Sequence, residues 1–417
     1  MRLAATVVAC ALLTLALPVR SYGDAPAIDP AAAQRAIAER QRLCEADNGK
    51  LWGVSLCGPF LFVDPATRQV VGNYPNAALP AGVIPANTAF PLGDGYVTMV
   101  MWPITDDPIA RNILLMHESW HRIQRQIGLP PAEGNNDHLD TFDGRYWMLL
   151  EWRALARAAT LPGSARRAAV LDALGFAAQR HQLIRGSGIA EANLLRNEGL
   201  AEDTGVALST APRDRMVRVV EELARYRGAP SLVRSFAYGA GPAYGAFLDL
   251  YRPGWRRTLN GHSDLYALLA AALHTEPSAA TATKSVAAYD DGSLRTAEQQ
   301  RETRRVARLA ALRATYIDGP VLRIPLRGAN FGFNPNAVVP FPGFGNVYTP
   351  FNATGWFGHL DAPGGALVTS DYSTVIVPAP KDATTLSGSG WKLTPASTCT
   401  LEAAERAGDF TVHCPAT

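Results

Sequence analysis

His117-Glu118-Ser119-Trp120-His121 is the stretch of this 417-residue chain whose reading decides the rest. On a helix, residues four apart lie on one face. Both imidazoles then point into one small volume, with the Glu118 carboxylate beside them. Neutral imidazoles are good zinc ligands, and a carboxylate next to the ion can take a proton from bound water. On a solvated helix the same string would be two surface histidines and a solvated charge.

The surrounding residues supply the helix. Thr105, Asp106 and Asp107 offer N-caps, and Pro108 suits a first helical turn. Apolar residues recur at Ile109, Ile113, Leu114 and Ile123, and the helix is expected to run to about Ile127. Gly128 and Pro130 stop it. Residues 96–102 (Tyr-Val-Thr-Met-Val-Met-Trp) read as a buried strand just upstream.

A catalytic zinc site takes three protein ligands and keeps one position open. A third histidine in the spacing H-E-x-x-H-x-x-G-x-x-H is absent, because position 124 is Gln and position 127 is Ile. Two glutamates on later helices remain, Glu151 and Glu198. Glu198 is preferred, because Gly199 after it leaves room for close packing against the metal helix. Glu202 lies one turn on, where its carboxylate can accept a ring N–H from a ligand histidine. Glu151 sits among bulky apolar residues beside Arg153, which suits a structural ion pair.

His117-Glu118-x-x-His121 followed by Asn197-Glu198-x-x-x-Glu202 resembles the gluzincin branch of zinc metallopeptidases, the group that includes thermolysin. The run Glu198 to Gly205, the stretch from His138 to Trp147 and the stretch from Leu150 to Leu155 are similar to exported bacterial proteins of the peptidase-MA type. The resemblance covers roughly residues 51–326. It implies a mainly helical, zincin-like core with a small N-terminal sheet, whose strand lies beside the metal helix and can pair with an extended substrate. It further implies Zn2+ held by His117, His121 and Glu198, with Glu202 and Asn197 supporting them. Amide hydrolysis would follow by a zinc-activated water, with Glu118 as general base. Tyr238, Tyr244 and His138 are candidate donors to the oxyanion, Tyr238 first because Gly239 and Gly241 follow it. Asp203 departs from the pattern, where an aromatic residue is expected.

The rest of the chain frames this site. Hydrophobic residues make up 47% and charged ones 18%, which suits a folded protein and excludes a disordered one. A formal charge of +2 gives no electrostatic footprint for nucleic acid. Residues 1–23 read as a signal peptide: Arg2, an uncharged apolar stretch over 3–19, then Ser21 and Gly23 placed for cleavage. No later segment is apolar enough to span a membrane, so the mature chain is expected in the periplasm or secreted. Its four cysteines, Cys44, Cys57, Cys399 and Cys414, are expected as two local disulfides.

Strands are expected at 51–56, 60–63 and 69–71. Helices are expected at 30–46, 144–159, 164–184, 189–208, 214–226, 242–251, 262–273 and 293–315. The last alternates Arg301, Arg304, Arg305 and Arg308 with Glu298 and Glu302, the pattern of an ion-paired solvated face. Glycine, proline and β-branched residues dominate thereafter. The chain therefore reads as α+β, with a metallopeptidase domain over 24–315 and a β-rich domain over 316–417. Its partner is a peptide or protein. The other readings are a non-catalytic exported binding protein with a vestigial metal site, and a zinc amidase acting on cell-wall peptides. Asp137, His138, Asp140 and Asp143 read as capping chemistry, with a second metal site as the alternative.

Overall fold

A computed structural model describes residues 28–80, 82–333 and 338–414; the expected signal peptide lies outside them. The chain divides into two compact units, residues 1–130 with 204–212, and residues 131–203 with 213–417. Helices fill the middle of the chain and sheets its C-terminal part, the α+β arrangement expected. Among the described residues no helix is long and apolar enough to cross a membrane.

In the first unit, α1 (Pro30–Asp47) precedes four strands, β1 (Phe60–Val63), β2 (Val70–Gly72), β3 (Thr88–Leu92) and β4 (Gly95–Met101). The sheet order is β2-β1-β4-β3. β4 is therefore central, parallel to β1 and antiparallel to β3. Both of its edges are filled, so a substrate strand cannot add along it as expected; the open edge beside it belongs to β3.

The motif helix α2 (Pro108–Ile123) packs on β3 and β4. Asp107 starts it, its carboxylate accepting from the amides of Ile109 and Ala110. Gly128, at φ +76°, turns the chain after a few further residues.

The second unit holds α3 (Phe142–Thr160), α4 (Gly163–Leu183) and α5 (Ser187–Leu194), then a π turn over Leu195–Gly199 that runs into α6 (Leu200–Ser209). The boundary between the units falls within α6. α7 (Arg215–Arg227), α8 (Ser235–Tyr251), α9 (Leu265–Ala272), α10 (Ala279–Ser285) and α11 (Ser293–Arg313) follow. Asp203 is fully buried against Gly245 of α8 and paired with Arg215 and Arg256 at 2.5 Å each. The unexpected acid is thus a buried ionic joint.

Two antiparallel-rich sheets close the chain. β5 (Val321–Pro325), β6 (Asn330–Phe333), β7 (Val338–Phe341), β8 (Gly345–Tyr348), β9 (Phe351–Gly355), β10 (Gly358–Ala362), β11 (Ala366–Thr369), β12 (Thr374–Pro378), β13 (Ser387–Gly388), β14 (Trp391–Pro395), β15 (Thr400–Ala403) and β16 (Phe410–His413) arrange as β13-β14-β10-β9-β6 and β15-β16-β5-β12-β11-β8-β7. Ile324, Val368 and Val375 of the larger sheet share one core with Phe351, Leu360 and Leu393 of the smaller. Val321, Leu367 and Ile376 point the other way, onto Leu309 and Leu312 of α11. Strands covered on both faces read as continuous apolar runs.

Both expected disulfides form, Cys44–Cys57 and Cys399–Cys414. Two expected elements differ. Residues 51–56 turn instead of forming a strand, because Asp47 accepts from the amides of Gly49 and Leu51, while Gly49 and Gly53 take positive φ. α8 starts at Ser235, seven residues before the expected Pro242, which lies inside it. Its residues from Phe236 to Leu248 are nearly all buried, and that burial outweighs the proline's cost of about 3 kcal/mol.

Candidate metal centre

The motif helix is held at its base before it offers anything to a ligand. Arg40 of α1 is fully buried and donates from Nε to Ser119 Oγ at 2.8 Å, inside the motif. Its Nη2 donates to the Leu56 carbonyl at 3.0 Å. Arg122, next to His121, donates to the carbonyls of Ser55 and Cys57 and packs on Gly58. The Cys44–Cys57 disulfide ties that same loop to α1. Burial, and then the charge of Arg122, lowers the Arg40 pKa to about 9, so its ionised form depends on these fixed acceptors.

His117 and Glu118 are buried, at 4% and 5% exposure, so the motif is not a solvated surface face. The Nε2 atoms of His117 and His121 lie 3.2 Å apart. Two nitrogens each about 2.05 Å from one tetrahedral ion would lie about 3.3 Å apart. His121 Nδ1 lies 3.0 Å from Gln124 Oε1, an oxygen that can only accept. A ring N–H donated from Nδ1 to that oxygen leaves the lone pair on Nε2, the atom that faces His117 and the one a metal would take. Gln124 is legible in the sequence only as the absence of a histidine; its i+3 spacing from His121 is the signal for this role.

Glu198 sits in the π turn, a feature common at functional sites. Its Oε1 accepts from Asn197 Nδ2 at 3.1 Å and from Arg234 Nη2 at 3.0 Å. Its Oε2 accepts from the Tyr238 hydroxyl at 2.9 Å. Arg234 also bridges to Glu133 at 3.0 Å, and Asn197 reaches the same carboxylate. Neither Arg234 nor Glu133 is marked by any motif in the sequence. Gly199 meets Gly241 of α8, where a Cβ would strike the Gly199 carbonyl at 2.3 Å. The glycine that meets α2 is Gly205, whose Cβ would lie 2.5 Å from the Ile113 carbonyl. The close packing against the metal helix expected at Gly199 thus falls to Gly205, and Gly199 serves α8 instead, because the π turn aims it at Gly241.

The side-chain ligand atoms of His117, His121 and Glu198 all lie within 4.8 Å of one another. Among the described residues this is the one His/Cys/Asp/Glu group that converges so. Two imidazoles and a carboxylate form a donor set suited to zinc.

Burial, and then the charge of Glu198, raises Tyr238 far above its usual range, so it keeps its proton and acts as a donor. Tyr226 stacks on it, centroids 5.6 Å apart. Glu202 is buried, and its charge adds to the burial that pushes the carboxyl of Glu222 up to about 7.

The other candidates have different employment. Glu151 is fully buried, paired with Arg180 at 2.8 Å, and accepts from the Tyr244 hydroxyl. Its partner is Arg180 in place of the adjacent Arg153, which lies 3.7 Å from Asp290. His138 is hydrogen-bonded to Glu191 at 2.8 Å. Thr141 caps α3, and Asp140 accepts from the Leu232 amide, which supports the capping reading for these two residues.

No family model, curated protein or solved structure matches the chain.

Proposed function

We propose that this chain is an exported zinc-dependent peptidase with a zincin-like core, its ion held by His117, His121 and Glu198. The observation that carries the reading is the convergence of these three ligand atoms on a buried H-E-x-x-H helix. When bound, zinc would supply a Lewis acid that lowers the pKa of water and polarises a carbonyl. The two disulfides suit an oxidising compartment.

The chain's own residues divide the remaining work. Glu118, adjacent to the first ligand and buried, takes the proton from water and passes it to the leaving amine. Gln124 holds the tautomer of His121. Asn197 and Arg234 grip one oxygen of Glu198, and Tyr238 the other, so the carboxylate is fixed in orientation. Tyr238 keeps its hydroxyl proton and can turn it towards a developing oxyanion.

The test is metal analysis paired with turnover. Purified protein is expected to carry about one zinc per chain, lost in His117→Ala. Glu118→Gln is expected to retain zinc and lose about 10²–10⁴-fold in hydrolysis of a denatured protein. Zinc-free wild-type protein, or full activity in Glu118→Gln, would overturn the assignment.

A further inference from the structure

The second unit contains a cleft with two unlike walls. One cavity of about 270 Å³ runs between the arginine face of α11 and strand β7. A second, of about 480 Å³, includes Glu133 and Arg234, the groups that reach Glu198 and its neighbour Asn197. The two cavities share Asp137, Val233, Pro340 and Pro342, so they are stretches of one cleft.

The charges lining the first cavity are not balanced: Arg301, Arg304, Arg305 and Arg308 face Asp137 and Asp140. Arg301 pairs with Glu298 at 2.7 Å, and Arg305 pairs with Glu302 at 2.7 Å. Arg304 and Arg308 line the same cavity and are exposed. Among the described residues neither has a carboxylate within ion-pair distance. Four residues apart, they share one helix face. The opposite wall is apolar, formed by Val338, Val339, Pro340 and Pro342. β7 is the edge of its sheet, but Pro340 lacks an amide donor, so the wall is built for side-chain contact more than for strand addition.

Successive side chains of an extended peptide point to opposite sides. We propose that this cleft binds an extended segment with acidic side chains facing Arg304 and Arg308 and apolar ones facing β7. On the peptidase reading of the Glu198 site, on which this part rests, the two arginines select substrates that carry acidic residues remote from the scissile bond. Asp137, where the cavities join, and Asp140, within the arginine cavity, repel an acid beside them and confine the preference to Arg304 and Arg308.

The experiment measures binding apart from cleavage. The probes are fluorescein-labelled octapeptides of alternating aspartate and valine, and of alternating lysine and valine, added to full-length Glu118→Gln protein. The acidic peptide is expected to bind at least tenfold more tightly. Arg304→Glu with Arg308→Glu should abolish that preference, while Arg304→Lys with Arg308→Lys should keep most of it. Salt should weaken the binding. Equal affinity for both peptides would overturn the proposal. So would unchanged binding in the double glutamate variant, or capture of an oligonucleotide or anionic vesicle in place of the acidic peptide. Preferential binding that survives in a protein without zinc or turnover would uphold the cleft and discard the peptidase reading.

Discussion

Arg180 and Arg234 each bridge two glutamates, and the contrast between them separates what holds the fold from what the fold holds out. Arg180 joins Glu151 and Glu191 at 2.8 and 2.6 Å, with all three side chains fully buried. Tyr244, Tyr266, His138 and His181 satisfy the remaining carboxylate valences. Burial pushes the carboxyl of Glu151 up, whereas Arg180 and His181 outweigh equal burial at Glu191 and hold it well below its usual range. Arg234 joins Glu198 and Glu133 at 3.0 Å each, yet its side chain is 54% exposed. One bridge is closed on all sides; the other leaves a guanidinium on the wall of a cleft. Similar residues thus give a strut in one place and an open cleft wall in the other, and burial separates them.

Removing the strut is the harshest way to try this contrast. Arg180→Ala leaves two carboxylates buried without their counter-charge and is expected to cost about 3–5 kcal/mol in chemical denaturation. A loss below about 1 kcal/mol would deny the cluster its structural role. Glu198→Ala comes next: about 10²-fold weaker zinc affinity by competition with a chelator, with the melting temperature of zinc-free protein little changed. Glu151→Ala should do the reverse, and matching behaviour of the two variants would erase the distinction.

A third carboxylate shows burial with weaker compensation. Glu222 is 1% exposed, and its nearest guanidiniums, on Arg218 and Arg225, are 3.7 and 3.8 Å away. Burial, and then the charge of Glu202, raises the Glu222 pKa to about 7 in the fold, so the folded state binds the proton more tightly than the unfolded chain does. That stabilisation is full below about pH 4.5 and fades as pH climbs through about 7. Wild type should therefore lose stability relative to Glu222→Gln across this interval, by on the order of 1.4 kcal/mol for each step of one in pH. Parallel pH profiles would refute it. The mildest effect is expected at Arg234→Gln, within about 1 kcal/mol of wild type, because an exposed bridge contributes little.

How much of this is legible in the sequence depends on how local each signal is. Asp107-Pro108 marks the start of α2 because a cap and a first-turn proline act within a few residues. The alternating burial of β9 and β14 likewise follows sequence. β3 escapes such a reading: it is an edge strand, where Pro91 is tolerated and Leu92 is exposed, so it carries little alternation. α8 reads too short because Pro242 looks like a beginning, and the burial that carries the helix through it belongs to distant partners. At the site, His117, Glu118 and His121 share a spacing, and Glu198 can be reached by its neighbours Gly199 and Glu202. Arg234 and Glu133 have no such spacing; only the folded chain brings them to Asn197 and Glu198.

The footing of α2 has a practical corollary. Arg40 and Arg122 both grip carbonyls between Ser55 and Gly58, and the Cys44–Cys57 bond fastens that loop to α1. A crosslink across 13 residues restrains the unfolded chain by roughly 3 kcal/mol. Reductant is therefore expected to loosen the footing of α2 without touching His117, His121 or Glu198. On the zinc reading proposed above, a preparation kept under thiol is expected to hold its ion less tightly for want of a floor, and a chain made in a reducing compartment begins with that floor unfastened.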